Sequence, residues 1–80
     1  MMAVYVEIRR DRETEVGFVY RYVASDGSVG RLEIAKVDGS SRPVEIASGD
    51  REERFYTLAA RKLLKHFQAG EFPEETCWAS

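Results

Sequence analysis

The sequence predicts an α+β fold: a four-stranded antiparallel β-meander with one C-terminal helix packed across one face, in the order ββββα. Three observations carry this. Apolar residues recur every second position through about residue 47 and at helical spacing from about residue 50. Turn signals separate the strand-like runs at short intervals, which favours sequential antiparallel neighbours. The chain has 80 residues, room for a single small domain with a thin core. The expected division is a sheet over about 3–47, a helix over about 50–69 and a C-terminal tail over 70–80.

The first strand covers residues 3–9. Val4, Val6 and Ile8 fall on one side, and Tyr5, Glu7 and Arg9 on the other. The charged stretch from Arg10 to Glu15 is too polar to pack and is expected to be a loop. A second strand over 16–24 carries Val16, Phe18, Tyr20 and Tyr22 on one side and Val19, Arg21 and Val23 on the other. Being apolar on both faces, it suits a central position.

Ser25-Asp26-Gly27 then turns the chain into a third strand at about 29–37. A two-residue Asp-Gly loop would set Tyr20 beside Glu33 and split the apolar face. A three-residue loop, with Gly27 left-handed, pairs Ala24 with Ser28 and sets Tyr20 against Leu32 and Phe18 against Ile34. Because a one-residue slip inverts every side chain, the buried face selects the three-residue loop. The run from Asp38 to Pro43 leads into a short edge strand, Val44 to Ala47, with Val44 and Ile46 expected inward. Pro43, which has no N–H, suits its start.

Asp50 is the expected helix cap, with Glu53 completing a capping box. Phe55, Tyr56, Ala59, Ala60, Leu63, Leu64 and Phe67 form a broad apolar arc suited to lying on a sheet. Gly70 is a natural left-handed stop, and Pro73 prevents resumption. Phe72 and Trp78 would be unfavourable in water, so the tail is expected to fold back. The expected core is Val6, Ile8, Phe18, Tyr20, Leu32, Ile34, Val44, Ile46, Phe55, Ala59, Leu63 and Phe67.

Composition narrows function by exclusion. At 44% hydrophobic and 32% charged, the chain has enough apolar material to fold. One histidine and one cysteine rule out a Cys/His zinc site and an intrachain disulfide. His66 lies near the rim of the helix's apolar arc and has no nucleophile or orienting acid at recognisable spacing, so a structural role is expected. Cys77 stands near Glu74 and Glu75, which oppose a reactive thiolate. The acidic clusters fit no calcium loop, and the glycines fit no phosphate-binding pattern. No catalytic, cofactor-binding or metal residues are expected, and the chain is not expected to be an enzyme. No apolar run approaches the roughly 18 residues of a membrane span, no basic leader opens the sequence, and cytoplasmic localisation is expected.

One helix can cover one side of a single sheet, which leaves the other side open. Tyr5, Val19, Arg21, Val23, Val29, Arg31 and Glu33 form the candidate interaction face, with Val19 at its centre. The expected function is a small non-enzymatic interaction module that forms a weak homodimer or binds a protein partner through this face. The edge strand at Val44 to Ala47 is the second candidate for self-association. The alternative is a nucleic-acid-binding module using Arg9, Arg10, Arg12, Arg21 and Arg31. A net charge of −2, with Glu7, Glu33 and Glu45 on the same face, counts against it.

Overall fold

The computed structural model describes residues 5–47 and 53–79. It holds five strands and one helix: β1 Tyr5–Glu13, β2 Gly17–Ala24, β3 Val29–Ala35, β4 Ser41–Glu45, α1 Arg54–Gln68 and β5 Glu75–Ala79. The sheet is antiparallel in the order β4-β3-β2-β1-β5. The class is α+β, an antiparallel sheet with a single helix. The expected meander is present, but the sheet has five strands, because the tail returns to pair with β1.

The central hairpin follows the register that burial selects. Phe18 pairs with Ile34, Tyr20 with Leu32 and Tyr22 with Gly30. The Ala24 N–H donates to Ser28 O at 2.9 Å across the three-residue loop, where Gly27 has φ of 90°. The Tyr22 ring lies over Gly30, and a Cβ there would run into it. A large side chain thus covers the gap its cross-strand partner leaves.

β1 runs on to Glu13 rather than ending at Arg9. The charged stretch is a strand because its side chains find partners. A bulge at Asp11 sets Arg10 opposite Tyr20 and Arg12 opposite Val19. The bulge sends Arg12 to the other face, while Arg10 keeps the parity of Val6 and Ile8 and faces the helix side. Its Nη1 donates to Phe72 O at 2.9 Å, and its guanidinium stacks 4.9 Å from the Phe18 ring centroid. Glu13 reaches across β2 to Lys36, just past the end of β3, and the ammonium holds its carboxyl below the usual range.

The core lies between sheet and helix. Val6, Ile8, Tyr20, Tyr22, Leu32, Ile34, Ala47, Ala59 and Leu63 are fully buried. Phe18, Phe55, Phe67, Phe72 and Trp78 pack against them. Val44 and Ile46 are exposed instead, at 44% and 38%. The β3–β4 register causes this for Val44: Ser41 and Pro43 lie opposite the inward Ile34 and Leu32, so Val44 has the opposite parity to the expected one, and it is then the extra residue of a bulge before Arg31 pairs with Glu45. Ala47 takes up the inward position.

The expected cap Asp50 and the strand start at residues 3–4 lie outside the described residues. Helix α1 begins after Glu53, which takes the N-cap position without a side-chain cap bond, and the Asp50 half of the expected capping box lies outside the described residues. The Thr57 hydroxyl and N–H both donate to Glu53 O instead, at 2.8 and 2.9 Å. The other end closes as expected. Gly70 has φ of 79°, its N–H donates to Phe67 O at 2.9 Å, and the Glu71 N–H donates to His66 O at 2.8 Å, a Schellman pair.

β5 is fixed from both sides. Trp78 and Thr76 face the helix, opposite Val6 and Ile8. His66 Nε2 lies 2.8 Å from Thr76 Oγ1 while its Nδ1 lies 3.2 Å from Glu71 Oε1, so the histidine ties helix end to strand. Tyr20 donates its phenol to Pro73 O at 2.8 Å, and burial pushes that phenol up to about 12. Phe72 sits between Phe18 and Phe67, with ring centroids 5.1 and 6.0 Å away.

Candidate functional site: the open sheet face

Because side chains alternate across a strand, the face away from α1 is a set of rows read across the ladder. Cys77, Glu7, Val23 and Val29 form one row. The next crosses all five strands as Glu75, Arg9, Arg21, Arg31 and Glu45. A third holds Arg12, Val19, Glu33 and Arg42. All seven candidate residues belong to this face, but they do not form an apolar patch.

Val19, expected at the exposed centre, is 1% exposed. Its direct neighbours across the ladder are Arg12 and Glu33. Long charged side chains cover apolar surface with their stems while keeping their heads in water. Val19 is therefore packed beneath the face, and Val19→Lys would disturb the fold. Val23 and Val29 pair directly and are half-buried, while Tyr5 is 44% exposed. The Cys77 thiol beside Tyr5 pushes the phenol above its usual range.

Glu33, another candidate contact residue, is also buried. Thr14 Oγ1 donates to its Oε2 at 2.7 Å and Arg42 Nε to its Oε1 at 2.8 Å. Thr14 in turn accepts the Gly17 N–H at 3.0 Å, which anchors the β1–β2 turn. The Thr14 hydroxyl and then Arg42 hold the Glu33 carboxyl below its usual range. It is hidden by a thin layer of side chains rather than by depth, so the ionised form is retained at neutral pH. A depressed folded pKa makes its contribution fully present above the unfolded value, near 4.3, and lost as pH falls through the folded value. Glu33→Gln should therefore be less stable than wild type at pH 7. The gap should close as pH falls below about 4, as thermal melts across the acid range would show.

The arginine row is the site's main feature. Arg9 Nη2 lies 2.7 Å from Glu75 Oε1. Arg31 reaches Glu45 at 3.3 Å and Asp11 at 3.4 Å. Glu33 pairs with Arg42 rather than with Arg21 or Arg31. Arg21 is exposed, stands directly between Arg9 and Arg31, and makes no ion pair among the described residues. Like charges directly opposite are unfavourable. The two flanking arginines are offset by acids, and the central one is not.

Sequence reasoning missed Glu75, Cys77, Asp11 and Arg42 as members of this face. For the first two a signal existed: Glu75, Cys77 and Ala79 alternate with Thr76 and Trp78, a strand pattern short enough to pass as a tail. Arg10, placed with Arg9 and Arg12 as one basic cluster, lies on the helix side instead. Among the described residues no helix is long and apolar enough to cross a membrane. Neither a family model, a curated protein nor a solved structure matches the chain.

Proposed function

We propose that this chain is a small non-enzymatic interaction module of the cytoplasm that docks a protein partner on its open sheet face. Cytoplasmic placement rests on the unpaired Cys77, a thiol that a reducing compartment keeps free. The observation that carries the docking reading is Arg21, exposed between Arg9 and Arg31 and without an ion-pair partner among the described residues. A partner carboxylate set there would relieve the like-charge row and accept hydrogen bonds from guanidinium groups. The half-buried Val23 and Val29 beside it offer an apolar margin. A second copy laid on the same face about a two-fold axis near Arg21 would bring arginine rows together, so a different, acid-bearing partner fits better.

Nucleic acid fits less well. Arg9, Arg10, Arg12 and Arg31 each have a carboxylate within 4.0 Å, so a phosphate backbone would have to displace those partners. The test is affinity capture with wild type and Arg21→Glu, circular dichroism first establishing equal folds. A protein held by wild type and lost with Arg21→Glu supports the reading. Equal retention by both overturns it. Oligonucleotide binding that weakens steeply with salt, and is lost on substituting Arg9 and Arg21, would transfer the site to nucleic acid.

A further inference from the structure

The two edges of the sheet are not equivalent. In an antiparallel ladder, alternate residues direct both main-chain groups toward the same neighbour. On β3, the Ala35 N–H donates to Ser40 O at 2.8 Å, which sets the phase of the β3–β4 ladder. Glu33 and Arg42 continue that phase, so Ser41 and Pro43 direct their main chains outward. Pro43 has no N–H to offer, and the bulge at Val44 follows at once. Proline and bulges are the devices that stop an edge from pairing with another strand. The Val44 to Ala47 region, expected as a fallback for self-association, is therefore the protected edge.

β5 has no such protection. The Arg10 N–H donates to Glu74 O at 2.8 Å, and the register continues through Ile8 with Thr76 and Val6 with Trp78. Thr76 and Trp78 thus direct their main chains to β1. Glu75, Cys77 and Ala79 direct theirs away from it, and among the described residues no strand lies there. The β1–β5 register is regular, and β5 contains no proline or glycine.

We propose that this edge pairs with a second copy of the chain, β5 against β5 in antiparallel sense about a two-fold axis at Cys77, giving one continuous ten-stranded sheet. The phase of the free groups selects the register. Cys77 faces its own copy, and Glu75 faces Ala79 of the second copy on either side, each facing pair exchanging two main-chain hydrogen bonds. Sliding by two residues in one direction brings Pro73, without a donor, against Ala79. Sliding in the other carries Glu75 past Ala79, the last residue of β5. In the chosen register no like charges face each other, and Glu75 is already neutralised by Arg9 at 2.7 Å. A two-fold contact of identical edges closes on itself and leaves Pro43-bearing edges at both outer ends. The inference is independent of the open-face reading, because it uses main-chain groups at the sheet's side.

Sedimentation at about 100 μM, where a micromolar Kd fills a dimer, gives the test. Wild type and Cys77→Ser should sediment with the mass of two chains. Cys77→Pro removes one outward N–H while sparing the bonds to β1, and should be monomeric with an unchanged circular dichroism spectrum. If Cys77→Pro fails to fold, Ala79→Pro makes the same test at the strand end. The thiol oxidant diamide, which takes two electrons and two protons from a thiol pair, reads the register. Facing Cα atoms about 5.5 Å apart fall within disulfide range, so wild type should cross-link through Cys77. A monomeric wild type overturns the proposal, as does a dimer that survives the proline variants. Arg21→Glu should leave the dimer intact. A dimer that it breaks, and that Cys77→Pro does not, would overturn the edge contact in favour of the open face.

Discussion

Leu63→Ala is expected to lower the unfolding free energy by about 2–5 kcal/mol, the range for emptying a well-packed leucine site. Leu63 is 1% exposed and, with Ala59, is one of the two fully buried residues of α1. The helix is therefore joined to the sheet through a narrow strip, flanked by half-buried Phe55 and Phe67. A domain of this size holds stability toward the low end of 5–15 kcal/mol, so the loss is a large share of the whole. Leu64, next in sequence and 39% exposed, supplies the contrast. Leu64→Ala should change stability far less. Urea titration of both variants at equal m-values checks the pair. Similar small shifts for both would contradict a helix anchored at Leu63.

Gly17→Ala should be damaging for a different reason, although it adds only a methyl group. A Cβ at Gly17 would collide with the main chain of Ile34 on β3 and of Lys36 just beyond it. A side chain can swing away from such a clash, whereas a paired strand must part from its neighbour. Overpacking costs of about 1–3 kcal/mol are typical, and a backbone collision belongs at or above the upper end. Gly27 provides the control. It has φ of 90° and open space around its Cα, so Gly27→Ala carries only the left-handed backbone penalty, about 1 kcal/mol. At about 4–8 °C per kcal/mol for a domain this small, melting temperatures separate the two. A Gly17→Ala melt no lower than that of Gly27→Ala would refute the close approach of β2 and β3.

Much of the fold was legible because burial and periodicity agreed. The β2–β3 register could be read from Tyr20, Leu32, Phe18 and Ile34 alone, since only one loop length put them together. The Gly70 stop was equally plain. What could not be read was parity interrupted by bulges. Asp11 and Val44 are ordinary residues in local sequence, and each inserts one position that only the opposing strand reveals. The first moved Arg12 to the open face beside Val19, while Arg10 kept the parity of Val6 and Ile8 and ties down the tail. Val44 left the core through register instead, because Ser41 and Pro43 took the positions opposite Ile34 and Leu32.

The open face was legible as a place and not as a texture. Alternation assigned Tyr5, Val19, Arg21, Val23, Val29, Arg31 and Glu33 to one side. It could not show that Arg12 and Glu33 flank Val19 and leave it buried, or that Thr14 and Arg42 hold Glu33. Those depend on which strands are neighbours and at what register. β5 escaped for a related reason. Five residues carry too little pattern to mark a strand until β1 is seen to have an empty side.

The pairing of β1 with β5 has a consequence for the order of events as the chain is made. Arg10 and Glu74, bonded across that ladder, are 64 positions apart. At roughly 5–20 residues per second, β1 is on the order of 3–13 s older than its partner during synthesis. Its ladder side then stands bare beside a finished meander. Loop closure over such a separation makes this late step slow relative to the local hairpins. The interval falls on Val6 and Ile8, which at that stage present an apolar strand with unsatisfied main-chain groups. The charges of Glu7, Arg9 and Arg10 punctuate that stretch, and they guard a nascent edge that the finished molecule no longer has.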